Sequence, residues 1–189
     1  MNDEARELLR SDPALGPLVE SHGEVSIDAA EDPFRRLVVS IIRQQVSMAS
    51  AAAIRDRLFD AVEITPEGIL AADADRLTGA GLSAAKAEYV TNAAAAFDRL
   101  DSTRFEEMND AAVVEEMTDI RGIGPWTAKM FLMFGLGRED VFPVEDLGIR
   151  KGMRHLFDED MTRKEMQETA RNWKPYRSYA SEYLWREFE

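Results

Sequence analysis

The 189-residue chain contains no cysteine. That absence excludes a disulfide framework, a thiolate zinc site and a Cys-ligated iron–sulfur cluster. Histidine is almost missing as well: His22 and His155 stand far apart, and no metal-ligand spacing is present. No stretch approaches the roughly 18 uninterrupted apolar residues of a membrane helix. The opening MNDEARELLRSDP carries charges where a signal peptide needs an apolar run. A cytoplasmic protein with no membrane partner is the expectation. Lysine is scarce, 5 against 18 arginines, and 36 acidic residues bring the net charge to −13. A broad basic surface for phosphate is therefore not expected. An acidic, lysine-poor surface instead suits work in high salt, where acidity serves solvation.

Internal repeats, low-complexity runs and sustained period-two strand patterns are also missing. What remains is globular: 45% hydrophobic and 31% charged residues, in a chain long enough for a real core. Helical signals recur along it. Asp32-Pro33 opens a helix through LVVSIIRQQ, and Ser47 caps MASAAAIRDRLFDAV. Asp73 caps a short helix ending at Gly79 or Gly81, and Ser83 caps AAKAEYVTNAAAAFDRL. Asp110 starts AAVVEEM, Thr162 caps RKEMQETARNW, and a last helix runs through SYASEYLWREF. Only VSI (25–27) and VEIT (62–65) read as extended. The expected fold is all-α, about ten helices in two helical lobes sharing a cleft.

Residues 120–154 form the one locally basic zone, six basic residues against four acidic. Inside it, Gly122-Ile123-Gly124-Pro125 sits between two helical segments. The glycines permit backbone angles that other residues resist, and proline favours the first turn of the next helix. The N–H groups of such a turn can face an anion, aided by the helix dipole. Ile123 would fold back between the flanking helices. Taken alone, the pattern fits a plain helix–helix turn as well as a phosphate clamp. Asp146 follows Trp126 by 20 residues, behind VFPVED, with Arg150 and Lys151 just beyond.

In that context the sequence resembles the helix-hairpin-helix (HhH-GPD) DNA glycosylases, and within them the DNA-3-methyladenine glycosylase II branch. Three ordered segments carry the resemblance: IIRQQVSMASAAAIRDRL (41–58), DIRGIGPWTAKMFLMFGLGREDVFPVEDLGIRKGM (119–153) and WKPYRSYASEYLW (173–185). LSAAKAEYVTNAAAAF (82–97) is a weaker fourth. Only 40 residues precede the first of these segments, so the likeness is to the compact, purely helical form without an N-terminal α/β domain. It implies one lobe over roughly 36–145 and the other from the N-terminal segment with 146–189.

The resemblance implies a monomeric, monofunctional glycosylase of base excision repair. Its partner is double-stranded DNA containing damaged bases. Asp146 takes the catalytic position, although the same residue reads equally as the N-cap of LGIRKGM. Glu145 does not fit the pattern, which places the aspartate second. Trp126 occupies the position where lyase-type relatives carry a lysine, and Lys129 lies elsewhere on that helix, so no Schiff base is expected. Trp126 and Trp185 fall at base-pocket positions, where aromatic faces suit a cationic alkylated purine. Met130 stands where a tyrosine often sits. From the residues alone, either tryptophan reads as core. Gln44 or Gln45 would fill the hole left by the flipped base. Arg121, Gly122, Ile123, Gly124, Thr127, Arg150 and Lys151 complete the implied DNA contacts. A monovalent cation on the hairpin carbonyls is the only cofactor implied. Glycosylases for deaminated or other damaged bases, a non-catalytic helix-hairpin-helix DNA-binding module and a helical scaffold are the alternatives.

Overall fold

The computed structural model describes residues 1–99 and 104–188. Among these the secondary structure is helical and no strand is formed, so VSI and VEIT are not strands. Val25 and Ile27 are nonetheless buried, as anchors of an irregular segment. No helix among the described residues is long and apolar enough to cross a membrane.

The chain divides into two compact units, Met1–Asp28 with Gly137–Glu189, and Ala29–Leu136. These bounds lie several residues N-terminal to those expected from the sequence. The first unit opens with α1 (Asp3–Ser11) and α2 (Gly16–His22). Asn2 caps α1 by accepting from Ala5 N at 2.8 Å.

The second unit runs from α3 (Pro33–Arg43) through α4 (Met48–Ala61), α5 (Pro66–Ala71) and α6 (Ala74–Gly79) to α7 (Ala84–Phe97). It ends with α8 (Arg104–Glu107), α9 (Asp110–Thr118) and α10 (Pro125–Phe134). Asp32, Ser47, Thr65, Asp73 and Ser83 each accept a backbone N–H three residues on, which is why α3 to α7 begin where they do. The cap of α9 is Asn109, one residue before the expected Asp110. Leu100, expected as the end of the alanine-rich helix, lies outside the described residues.

At the centre of this unit α10 packs on α3 and α9. Thr127, Ala128 and all of Met130–Met133 are buried, so the helix is enclosed rather than striped. Phe34, Phe97, Phe105 and Phe131 meet with ring centroids 5.4 to 5.8 Å apart, in tilted and edge-on pairs that suit ring quadrupoles.

The first unit resumes with α11 (Leu147–Leu156), α12 (Arg163–Thr169), a 3₁₀ turn (Ala170–Trp173) and α13 (Arg177–Phe188). The turn replaces the end of the longer helix expected after Thr162. Here α13 packs on α11 and α2. Its buried polar groups are satisfied: Tyr183 Oη donates to Gly23 O at 2.7 Å, and Trp173 Nε1 to Asp12 Oδ2 at 2.8 Å. Burial, more than the nearby Glu139, pushes the Tyr179 hydroxyl far above the ordinary tyrosine range. Its proton is thus held for Glu139, to which Oη donates at 2.5 Å.

Candidate functional site

The residues singled out from the sequence fall into two groups, one in each unit. In the second unit, α9, the turn 119–124 and α10 form a helix-hairpin-helix. Ile123 is buried, and its N–H donates to Ile120 O at 3.0 Å, so it pins the turn as expected.

The two glycines differ. Gly122 has φ +102°, in the left-handed region, and a Cβ there would lie 2.1 Å from Tyr89 Cγ of α7. It is glycine because the fold demands it. Gly124 has φ −94°, is exposed, and a Cβ there would meet nothing within 4 Å. A side chain at Gly124 would therefore neither strain the backbone nor collide within the protein, so the backbone freedom expected of both glycines is used at Gly122 alone. Gly124 is the N-cap of α10, and no side chain caps that helix.

Around the hairpin, Gln44 Nε2 donates to Gly122 O at 3.1 Å and to the buried Thr127 Oγ1 at 2.9 Å. Asn92 Nδ2 donates to Arg121 O at 3.2 Å. The exposed Arg121 guanidinium pairs with Glu88 Oε1 at 2.6 Å. The carbonyls of Ile120, Arg121 and Gly122 thus each already accept an N–H. A carbonyl oxygen has two lone pairs, so one accepted N–H does not exclude a second partner. Among the described residues no group of three acidic or histidine side chains could hold a metal ion.

Gln45, next to Gln44, is exposed with φ +55°, and is the one non-glycine residue with positive φ among those described. Left-handed backbone costs a non-glycine residue about 1 kcal/mol or more. Val46 and Met48 beside it are exposed apolar side chains. Farther along, Trp126 is half-buried and Met130 buried.

The other group belongs to the first unit. The loop Val141–Glu145 delivers Asp146 to the start of α11 as its N-cap, where Oδ1 accepts from Ile149 N at 3.0 Å. The same oxygen accepts from Trp185 Nε1 of α13 at 2.9 Å. Trp185 therefore holds the carboxylate, which the sequence did not reveal. Arg150 Nη1 donates to Val144 O at 3.2 Å and to Glu145 O, bracing the loop. Gln44, Thr127 and Arg150, implied as DNA contacts, all make hydrogen bonds inside the protein. Lys151 is exposed.

A model of the HhH-GPD superfamily of base excision DNA repair proteins matches residues 38–177. The chain belongs to the HhH-GPD superfamily. This HhH-GPD protein is 31% identical to a putative DNA-3-methyladenine glycosylase, YfjP, of Bacillus subtilis, over 93% of its own length and 66% of the relative's. It is also 31% identical to the DNA-3-methyladenine glycosylase of Saccharomyces cerevisiae, covering 100% of itself and 71% of that protein. It thus spans about two thirds of the length of these curated relatives. Among solved structures it resembles the 3-methyladenine DNA glycosylase Mag1 of Schizosaccharomyces pombe in complex with abasic DNA, with TM-score 0.88, 28% identity, and 97% and 95% of the two chains covered. The DNA-3-methyladenine glycosidase of Bacillus halodurans aligns at TM-score 0.82 and 35% identity, covering 98% and 88%.

The supports from α7 were not foreseen. Lys86, whose Nζ donates to Ile42 O, recurs with Tyr89 and Asn92 at helical spacing on the alanine-rich α7, and that contrast is the available signal.

Proposed function

We propose that this chain is a monofunctional DNA glycosylase of the DNA-3-methyladenine type, which starts base excision repair by hydrolysing the N-glycosidic bond of alkylated purines. The observation that carries the chemical part is the carboxylate of Asp146, fixed by one backbone and one indole N–H on the same oxygen. Such a group is preorganised, so it needs no rearrangement when charge develops beside it.

In the reaction the bond between C1′ and the base nitrogen breaks, and its electron pair leaves with the base. Positive charge grows on the sugar, and the Asp146 carboxylate stabilises it. Water then bonds to C1′ and loses a proton, for which Asp146 is the acceptor. Alkylation at a ring nitrogen already makes the purine cationic, so a strong general acid is not required. Trp126 and Trp185 are read as aromatic faces for such a base, with Met130 a softer surface than tyrosine. Gln45 is read as the side chain that enters the duplex when the base leaves the stack. Its exposure and left-handed backbone support it over Gln44, whose amide is engaged internally. Gly124 and the uncapped start of α10 are read as the phosphate contact: the position is bare on the protein's own side, and glycine there leaves room for a backbone to approach a ligand. Arg121 and Lys151 add sequence-independent charge.

The test is Asp146→Asn. Asparagine is as good an N-cap as aspartate, so the fold and affinity for undamaged duplex should hold. Excision from a duplex carrying a single 3-methyladenine or 7-methylguanine should fall by about 10² or more. Near-parental excision would remove Asp146 from the reaction. Borohydride should trap no protein–DNA adduct, because the helix carries Trp126 where a lyase needs an amine.

A further inference from the structure

We infer that Gln44 is a positioning residue that ties the Gln45 turn to the phosphate-binding hairpin, so that the two work on DNA as one rigid piece. The inference rests on the glycosylase reading above. Gln44 stands at the C-cap of α3, with its own N–H returned to Ile41 O at 3.3 Å, and Gln45 follows it in the left-handed region. The Gln44 side chain turns away from that exposed tip. Its single Nε2 reaches across 78 residues of sequence to Gly122 O and across 83 to Thr127 Oγ1, at 3.1 and 2.9 Å. One amide group therefore fastens the base of the tip both to the glycine bend and to the first turn of α10.

A second set of contacts repeats the connection through α7. Lys86 Nζ donates to Ile42 O, near the end of α3, at 2.7 Å. Tyr89, one turn on, packs so closely on Gly122 that no Cβ fits, and Asn92 holds Arg121 O. One edge of α7 thus supports the tip at one end and the hairpin at the other. This arrangement is costly to build unless relative position matters: Lys86 is partly desolvated, and burial lowers its pKa. The Gln44 and Lys86 bonds are part-buried, to backbone carbonyls and the buried Thr127 hydroxyl, so their loss leaves polar groups short of a partner. Joined in this way, a tip entering the helix keeps a fixed distance from the phosphate held at Gly124.

The prediction separates Gln44 from a direct DNA contact. Gln44→Met keeps the side-chain length and removes the donor, and Thr127→Val keeps the shape and removes the acceptor. Affinity for an abasic-site duplex and for the same duplex undamaged is measured at one fixed salt concentration. The ratio of the two reports insertion of the tip, since the hole exists only in the abasic duplex, and it needs no excision. Gln44→Met should lower that ratio by about tenfold, and the double variant should do no worse than Gln44→Met alone, because the two side chains act through one contact. An unchanged ratio overturns the inference. So do losses that multiply in the double variant, which would place Gln44 on the DNA, and equal weakening on both duplexes, which would mean general damage to the hairpin. If Gln44→Met does not fold, as thermal denaturation would show, Thr127→Val decides alone by whether the ratio falls. A parent protein that excises no alkylated base would refute the glycosylase reading without touching this measurement.

Discussion

Two helix starts, α10 and α11, solve the same problem in opposite ways. Every helix begins with backbone N–H groups that have no partner inside it. At α11 the Asp146 carboxylate accepts Ile149 N–H and is itself held by the Trp185 indole. At α10 the cap is Gly124, exposed, with no capping side chain and open space where a Cβ would stand. The first start is closed by a side chain of the protein, and the second is not. The difference teaches that an acidic cap and a bare cap leave different things behind: one fixes a carboxylate in place, the other leaves a helix start of the kind that can face an anion.

The sharpest way to break that comparison is at Trp185. Trp185→Phe keeps an aromatic face and removes the N–H on Asp146 Oδ1. A hydrogen bond to a charged group contributes about 1.5–3 kcal/mol, so single-turnover excision should drop by about tenfold to a hundredfold. Binding to undamaged duplex should not change. If excision is lost only through weaker substrate affinity, the indole serves stacking and not the carboxylate.

Next in size is the contrast between the hairpin glycines. Gly122→Ala meets both a positive φ and Tyr89, and should destabilise the fold by about 1–3 kcal/mol or more in denaturant melts. Gly124→Ala should alter stability by about 1 kcal/mol or less. Gly124→Asp should leave helix content intact yet weaken lesion and undamaged duplex alike, through charge repulsion at a phosphate. A Gly124→Asp variant that binds undamaged duplex as the parent does would make the hairpin a turn and nothing more.

The smallest effect belongs to a helix start with no ligand in prospect. Thr162 and Glu165 form a reciprocal capping box on α12, with Glu165 Oε2 accepting from Thr162 N at 2.8 Å and from Thr162 Oγ1 at 2.7 Å. Thr162→Ala should cost about 1 kcal/mol and leave excision and DNA affinity unchanged. The Thr162 hydroxyl, then its backbone N–H, lowers the Glu165 pKa below the ordinary glutamate value. A carboxylate lowered in the folded state stabilises it above the unfolded pKa, and that contribution is lost as pH falls through the folded value. The gap between variant and parent should therefore narrow toward acid, below the usual glutamate range, to what the bond from Glu165 N–H to Thr162 Oγ1 contributes at any pH. Divergence at low pH would remove Glu165 from the cap.

Much of this was legible in the sequence. Ser47, Ser83, Thr162 and Asp146 each bond a backbone N–H three residues ahead, a distance that is a property of the helix and not of the fold. Their helices could be placed by reading, as could the hairpin, the buried Ile123 and the carboxylate behind the Phe142-Pro143 turn. Ends and short elements were harder. The Thr162 helix tightens into a 3₁₀ turn at Ala170, where Trp173 is drawn into the core. VSI kept its burial without a strand, since two apolar residues can be anchored with no ladder at all.

The sequence by itself determined that the chain is helical, where most helices begin, and that a glycine hairpin precedes an aspartate at glycosylase spacing. Only the tertiary structure decided that Gly122 is demanded by Tyr89 while Gly124 is not, that Gln44 faces inward, and that Trp185 holds Asp146. The reason is range. A cap bond closes over three residues and leaves its mark in the local pattern. The Trp185 bond spans 39 residues and the Gln44 bonds about twice that, so their partners are set by how helices pack.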